Sequence, residues 1–242
     1  DKYHMREYVA EKGLSALLPK NYGHWQDSKD IDYNLLPDSF VLKTTNGCGQ
    51  VLIVKDKNAL DIAKTNKILN EWMKLKYGYV DAQIHYSRIK PCIIAEECLT
   101  DSTNPDAKYL TDYKVWCFMG QPESILVVYD RGKDTSGYKL SVYDLNWNDI
   151  SVRTLKKNSP HYGGKGMSRP LALEQMIESA RILSKDCLEV RVDFYEINGR
   201  LYLGEMTFST AYGYFSDDYY QYLGSKVDLS KAKLVSKMNR PG

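Results

Sequence analysis

The sequence predicts an α+β chain in two lobes, and three observations carry that expectation. Segments with helical spacing are interspersed with pairs of β-rich runs joined by tight turns. The order lacks the regular strand–helix alternation of a parallel Rossmann sheet. At 242 residues the chain is long enough for one large domain or two small lobes with real cores.

The elements follow in order. Met5, Val9, Leu14, Leu17 and Leu18 stand among charged residues and predict an amphipathic helix over 3–18, interrupted near Gly13 and ended by Pro19. Pro37-Asp38 introduces a hairpin over 39–55, in which Phe40-Val41-Leu42-Lys43-Thr44 and Val51-Leu52-Ile53-Val54 flank a glycine-bearing loop. Asn58, as N-cap, opens a helix over 58–76 whose Ile62, Leu69, Trp72 and Met73 share a face. A short buried-type strand over 92–97 completes a first lobe, 1–98, and leaves 99–242 as the second.

The second lobe opens on a polar loop over 100–108. Two antiparallel strands follow over 113–119 and 124–129, joined at Gly120-Gln121-Pro122. The stretch 130–168 is rich in turn residues and loosest at Gly163-Gly164-Lys165-Gly166. Pro170 suits a first helical position, and Leu173, Met176, Ile177, Ala180 and Leu183 carry a helix to about Lys185. Runs over 190–197 and 201–208 surround Asn198-Gly199, the strongest hairpin signal in the chain.

Composition narrows the function. Thirty-three Lys plus Arg against 31 Asp plus Glu leave a formal charge of +2, so no whole-protein field is available to hold nucleic acid or anionic lipid. Apolar residues at 43% and charged residues at 26% exclude disorder, and no apolar run approaches the roughly 18 residues of a membrane helix. The charged start, Asp1 to Arg6, has no apolar stretch behind it and predicts no signal peptide. Five scattered cysteines without a Cys-x-x-Cys pair fit reduced thiols, so a cytoplasmic location is expected. Tyr is abundant, at 20 residues, and clusters near Tyr212, Tyr214, Tyr219, Tyr220 and Tyr222. The cluster reads as wet packing surface, with a sugar platform as the alternative.

Three constellations carry chemistry. In Lys43-Thr44-Thr45-Asn46-Gly47-Cys48-Gly49-Gln50 a cationic strand end enters a loop with two glycines. Glycines let backbone N–H groups surround phosphate oxygens and lysine supplies a point charge, although the stretch also reads as an ordinary hairpin turn and is not a P-loop. In Ile93-Ile94-Ala95-Glu96-Glu97-Cys98-Leu99 a dry strand exits through adjacent carboxylates that face opposite sides. Such an exit offers backbone groups to a purine, or is simply two solvated acids. In the last hairpin, Asp193 and Glu205 sit in apolar strand text, where each carboxylate needs a cation or donor. Magnesium is one candidate and Arg191, on the face of Asp193, is the other. A strict two-residue turn at Asn198-Gly199 puts Asp193 opposite Gly204 and sends Glu205 to the other face, so a shared metal requires a bulge there.

Taken in order, these pieces resemble the ATP-grasp superfamily, whose members bind ATP between two α+β lobes and mostly join carboxylates to amines. More narrowly, Asp1-Lys2-Tyr3, Arg6-Glu7-Tyr8-Val9, 36–43, Asp112-Tyr113-Lys114 and Gly204-Glu205-Met206-Thr207-Phe208 resemble the TupA-like ATP-grasp group, associated with teichuronopeptide and capsular polysaccharide synthesis. The resemblance implies an ATP- and Mg2+-dependent carboxylate–amine ligase working through an acyl phosphate. It further implies a uronic acid of a bacterial surface glycan as carboxylate and an amino acid or amino sugar as amine. Lys2 and Lys43 would contact phosphates, with Asn46, Gly47, Cys48, Gly49 and Gln50 as the closing loop. Glu96, Glu97 and Leu99 would hold adenine, and Asp112 the ribose. Asp193, Glu205 and Thr207 would hold magnesium, with Arg191 and Lys114 as catalytic cations. Two departures stand out: Asn46-Gly47-Cys48-Gly49 replaces the group's His-Gly-Ser-Gly, and Thr207 replaces the superfamily's metal-binding Asn. A glycosyltransferase using a nucleotide sugar and a non-catalytic nucleotide- or glycan-binding module are the rival readings. Because ATP-grasp enzymes usually carry a further N-terminal region before Asp-Lys, the chain is expected to hold the ATP-binding lobes with little ahead of them.

Overall fold

The structure, a computed structural model, describes residues 1–80, 83–101, 109–132, 137–164, 166–210 and 213–232. The chain divides into two units, Asp1–Ser102 and Thr103–Gly242, each built on one antiparallel sheet. Of the expected loops, 102–108 and Lys165 lie outside the described residues, as does Tyr212 of the tyrosine cluster.

The first unit contains α1 (His4–Glu11), β1 (Asn21–Trp25), β2 (Phe40–Thr44), β3 (Val51–Val54), α2 (Ile62–Met73), α3 (Tyr77–Val80) and β4 (Ile93–Glu97), with strand order β1-β4-β2-β3. The helix expected over 3–18 stops at Glu11. Gly13 takes φ 76°, the Leu14 N–H bonds the Val9 carbonyl and the Gly13 N–H that of Ala10, so the last turn is closed off and Ser15–Leu17 forms only a 3₁₀ turn. Helix α2 also starts later than expected. Asp61 rather than Asn58 is its N-cap, accepting from the Lys64 N–H at 2.9 Å. Strand β1 was not expected at all. It is an edge strand with a glycine and a bulge, and has no alternating pattern to read.

Pairing sorts the first sheet into two faces. Phe40, Leu42, Ile93 and Ala95 face the core with Leu69 and Trp72 of α2. The registers Val41↔Glu96, Val41↔Ile53, Lys43↔Ile94 and Lys43↔Val51 put Val41, Lys43, Val51, Ile53, Ile94 and Glu96 together on the opposite face.

The second unit contains β5 (Asp112–Phe118), β6 (Gln121–Tyr129), β7 (Lys139–Tyr143), α4 (Ser151–Thr154), α5 (Leu173–Ser184), β8 (Val190–Ile197), β9 (Arg200–Thr207) and α6 (Asp217–Ser225), with strand order β7-β6-β5-β8-β9. Strand β7 lies inside the stretch read as turns, and α6 inside the tyrosine cluster. The signal for α6 was present as Ser216, whose hydroxyl accepts from the Tyr219 N–H, followed by two acids in the first turn. Helix α5 packs on β5, β6 and β8. The opposite face of the sheet is divided. Toward β6 and β7 it carries an apolar core of Trp116, Leu126, Val128, Leu140 and Val142, covered by Leu155, Phe215, Tyr219 and Leu223. Toward β8 and β9 the same face carries charge.

The last hairpin decides that charge. Asn198 and Gly199 take φ of 52° and 78°, as a two-residue type I′ turn requires, and the strands zip as Ile197↔Arg200 through Phe194↔Leu203. The register then shifts, and Asp193 pairs with Glu205. Gly204 is the extra residue of the bulge that the shared-face reading required. A Cβ built on Gly204 would come within 2.8 Å of the Tyr195 ring. Gly204→Ala is therefore expected to cost about 1–3 kcal/mol through overpacking, at roughly 2–4 °C of Tm per kcal/mol. Thermal unfolding followed by circular dichroism checks this, and an unchanged midpoint overturns it.

Candidate active site

Each unit places its predicted residues around an internal ion cluster. In the first unit the centre is Glu96, whose carboxylate accepts from Lys43 Nζ at 2.6 Å and Arg6 Nη1 at 2.7 Å. Arg6 also donates to the Pro19 carbonyl at 2.6 Å, which ties α1 to β4 and to the chain leaving α1. Lys43 thus projects from the apolar face of Val41, Val51 and Ile53 with its ammonium held by a buried acid. Val51 and Ile53 are 41% exposed there, an open apolar surface beside a cation.

The loop after β2 is anchored, not loose. Asn46 is buried, and its amide donates to the carbonyls of Trp72 at 2.9 Å and Leu75 at 3.0 Å, closing the end of α2. Lys2 Nζ donates to the Gly47 carbonyl at 2.5 Å. Gly47 itself leaves no room for a side chain, since a Cβ would meet Gln50 Oε1 at 2.5 Å and the Tyr77 ring at 3.0 Å. Gly49 takes φ 83° and Cys48 is exposed. Three buried side-chain oxygens here, Thr44 Oγ1, Asn46 Oδ1 and Gln50 Oε1, lack partners. Glu97 lies on the far side of β4, where its carboxylate accepts from the Lys20 N–H, and Leu99 follows the strand half-buried.

In the second unit the centre is Asp193, 3% exposed. It accepts from Lys114 Nζ at 2.6 Å and, bidentately, from Arg191 Nε at 2.7 Å and Nη2 at 2.8 Å. Lys114 also lies 3.5 Å from Asp112, which is paired with Arg131. Both contacts fall on Asp112 Oδ2. Arg191 donates to Thr207 Oγ1 at 3.2 Å and lies over the Trp116 ring. Strand registers put Lys114, Arg191, Asp193, Glu205 and Thr207 on one face. Burial pushes the Asp193 carboxyl up, but Lys114 and Arg191 more than offset it and hold it below the ordinary range. Burial lowers Arg191, and Asp193 followed by Glu205 and Asp112 raises it above its usual value. Tyr195 is driven well up by burial and then by the charges of Asp112 and Asp193.

The donor set bears on magnesium. Among the described residues no cluster of three His, Cys, Asp or Glu exists that could cage a metal. Two cross-strand carboxylates, Asp193 and Glu205, instead suit a hard cation that takes its remaining ligands from water and phosphate. The residues fit Mg2+ on those terms.

Comparison with known proteins gives the family and the fold. No curated protein matches the sequence. The family described as TupA-like ATPgrasp matches residues 1–228. The chain belongs to that family. Among solved structures, D-alanine–D-alanine ligase from Bacillus anthracis complexed with ATP is similar with a TM-score of 0.51 and 13% identity, over 86% of this chain and 54% of that one. Phosphoribosylamine–glycine ligase from Thermotoga maritima is similar with a TM-score of 0.50 and 11% identity, over 85% of this chain and 46% of that one. The likeness is one of fold, and this TupA-like chain spans about half the length of either ligase. No helix of its described residues is long and apolar enough to cross a membrane.

Sequence reading assigned no role to Arg6 or Tyr195. Arg6 stands 90 residues from its partner Glu96, and nothing in local spacing announces such a pair. The ion cluster also makes Asp193 structural. Asp193→Asn would leave Lys114 and Arg191 without their shared anion, at a cost of about 3–5 kcal/mol. Because its folded pKa is depressed, Asp193 contributes stability above the unfolded value near ~3.9, lost as pH falls through the folded value. Urea unfolding in chelator should show wild type losing stability in acid and Asp193→Asn with a lower midpoint at pH 7 and a flatter acid slope. Equal midpoints at pH 7 would contradict the assignment.

Proposed function

We propose that this TupA-like ATP-grasp chain is an ATP- and Mg2+-dependent carboxylate–amine ligase. The carboxylate is a uronic acid of a bacterial surface polysaccharide, the amine an amino acid or amino sugar, and the location cytoplasmic. In the reaction a carboxylate oxygen attacks the γ-phosphorus, releasing ADP and forming an acyl phosphate. The amine then attacks the carbonyl carbon, phosphate leaves, and an amide remains after loss of the amine proton. The observation that carries the reading is the bulge at Gly204, which brings Asp193 and Glu205 to one face beside Arg191 and Lys114.

The residues divide the work. Lys2, Lys43 and the backbone of Gly47, Cys48 and Gly49 neutralise and surround phosphate oxygens, and Asn46 and Gln50 fix that loop. The surface of Val41, Val51 and Ile53 takes the purine, with the backbone of Glu96, Glu97 and Leu99 reading its edge. Asp193 and Glu205, with the Thr207 hydroxyl as a third oxygen, would hold magnesium, which supplies charge neutralisation to the phosphates when bound. Arg191 and Lys114 stabilise the charge that develops on the carbonyl oxygen and the transferring group, and pre-set ion pairs keep both from reorganising during the reaction.

Glu205→Gln is the discriminating variant because Glu205 is half-buried and holds fewer partners than Asp193. It is expected to lower ATP-dependent phosphate release on the order of 10²-fold or more with little change in Tm. Wild type with uronate oligomers and pooled amino acids should yield an amide by mass spectrometry. At a hundredfold excess over Kd, Mg-ATP should stabilise wild type by about 2.7 kcal/mol, whereas a UDP-sugar should not. Stabilisation by the UDP-sugar alone would favour a glycosyltransferase and sink the ligase reading.

A further inference from the structure

Two rows of side chains cross the charged half of the second sheet. Lys114, Asp193 and Glu205 face one another across β5, β8 and β9. Two residues along the strands, on the same face, stand Trp116, Arg191 and Thr207. Trp116 has no part in the roles above, yet it is the cross-strand neighbour of a cation that serves the proposed reaction.

The donors of Arg191 can be followed one by one. A guanidinium has five N–H groups. Nε donates to Asp193 Oδ1, and Nη2 donates to Asp193 Oδ2 and Thr207 Oγ1. No hydrogen bond among the described residues uses Nη1, so its two N–H groups are what this side chain, 11% exposed, can offer a solute. The guanidinium carbon lies 5.4 Å from the centroid of the Trp116 ring, within reach of the negative face of the indole. Trp116 is itself held on two sides. Its Nε1 donates to Glu189 Oε1 at 3.3 Å, and its ring meets Phe215 edge-on at 5.1 Å. At 2% exposure in a packed core, the indole has no room to turn away.

We infer that Trp116 is a positioning residue: it holds the Arg191 guanidinium in the plane that presents Nη1 to the oxygen on which charge develops. The inference rests on the ligase reading for what Nη1 meets. Asp193 alone does not secure that plane, because its oxygens also accept from Lys114 and, on that reading, serve the metal. What those oxygens give to other cations they withdraw from Arg191. The indole face belongs to Arg191, so this contact stays when Asp193 is shared. A donor held in place also needs no rearrangement as the charge develops, and a hydrogen bond weakens steeply once its angle is lost.

Proton exchange at Arg191 Nε, measured by nitrogen NMR on the full chain without nucleotide and assigned from backbone connectivity, reads the order of the guanidinium directly. Trp116→Leu, which stays apolar and loses the ring face, is expected to speed exchange about tenfold or more, and Trp116→Phe to remain within about threefold of wild type. Glu189→Ala frees the indole edge from a half-buried position and is expected to speed exchange severalfold, which decides the matter if Trp116→Leu does not fold. Phosphate release with uronate oligomers and pooled amino acids should show kcat lowered about tenfold or more in Trp116→Leu, KM for ATP within about twofold, and recovery in Trp116→Phe. Wild-type exchange in Trp116→Leu, or in Glu189→Ala where the leucine variant is unfolded, overturns the inference. So does exchange as fast in Trp116→Phe as in Trp116→Leu, or an unchanged kcat in Trp116→Leu. A wild type that forms no amide sinks the ligase reading instead, and the exchange rates still decide whether Trp116 holds Arg191.

Discussion

Side chains alternate along a strand, and that period of two governs the second unit. With a regular register after the Asn198-Gly199 turn, Glu205 would face α5 and its carboxylate would enter an apolar layer. One additional residue at Gly204 reverses the parity of everything beyond it, so Asp193, Arg191, Glu205 and Thr207 come to the same side. Only glycine suits the position, because the Tyr195 ring occupies the space of a side chain. Tyr195 in turn leans toward Asp112, so the bulge and the ion cluster fix each other.

Two buried carboxylates and one half-buried one on a single sheet face are tolerable because three half-buried cations stand with them. Asp112, Asp193 and Glu205 are matched by Lys114, Arg131 and Arg191, and the face sums to zero. Each charge has a hydrogen-bonded or close partner, which is the condition for a buried ion network to be stable. The first unit repeats the device on a smaller scale, with Glu96 between Arg6 and Lys43.

Much of this was legible in the sequence. Helices α2 and α5 have long apolar periods, the Asn198-Gly199 turn is a strong local signal, and parity alone showed that Asp193 and Glu205 meet only through a bulge. What escaped is non-local. Strand β1 is broken by a glycine and a bulge, and β7 is a five-residue strand set in a long turn-rich stretch, where the short Leu140 and Val142 alternation is easily passed over. The partners of Glu96, Asp112 and Asp193 depend on β4 lying between β1 and β2, and β5 between β6 and β8. Asn46 looked like part of a phosphate loop, but its amide is spent on the end of α2, which no local pattern discloses.

The ion pairs also bear on how a metal would be held on the proposed reading. A carboxylate that already accepts from a lysine and a bidentate arginine attracts a further cation less than a bare one does, because the same negative charge is shared. Triphosphate adds negative charge where Asp193 and Glu205 alone are insufficient, so metal and nucleotide favour one another thermodynamically. Lys114 and Arg191 thereby have two consequences from one placement. They keep Asp193 ionised in a buried site, and they make that site poor at holding a divalent ion until the phosphates arrive.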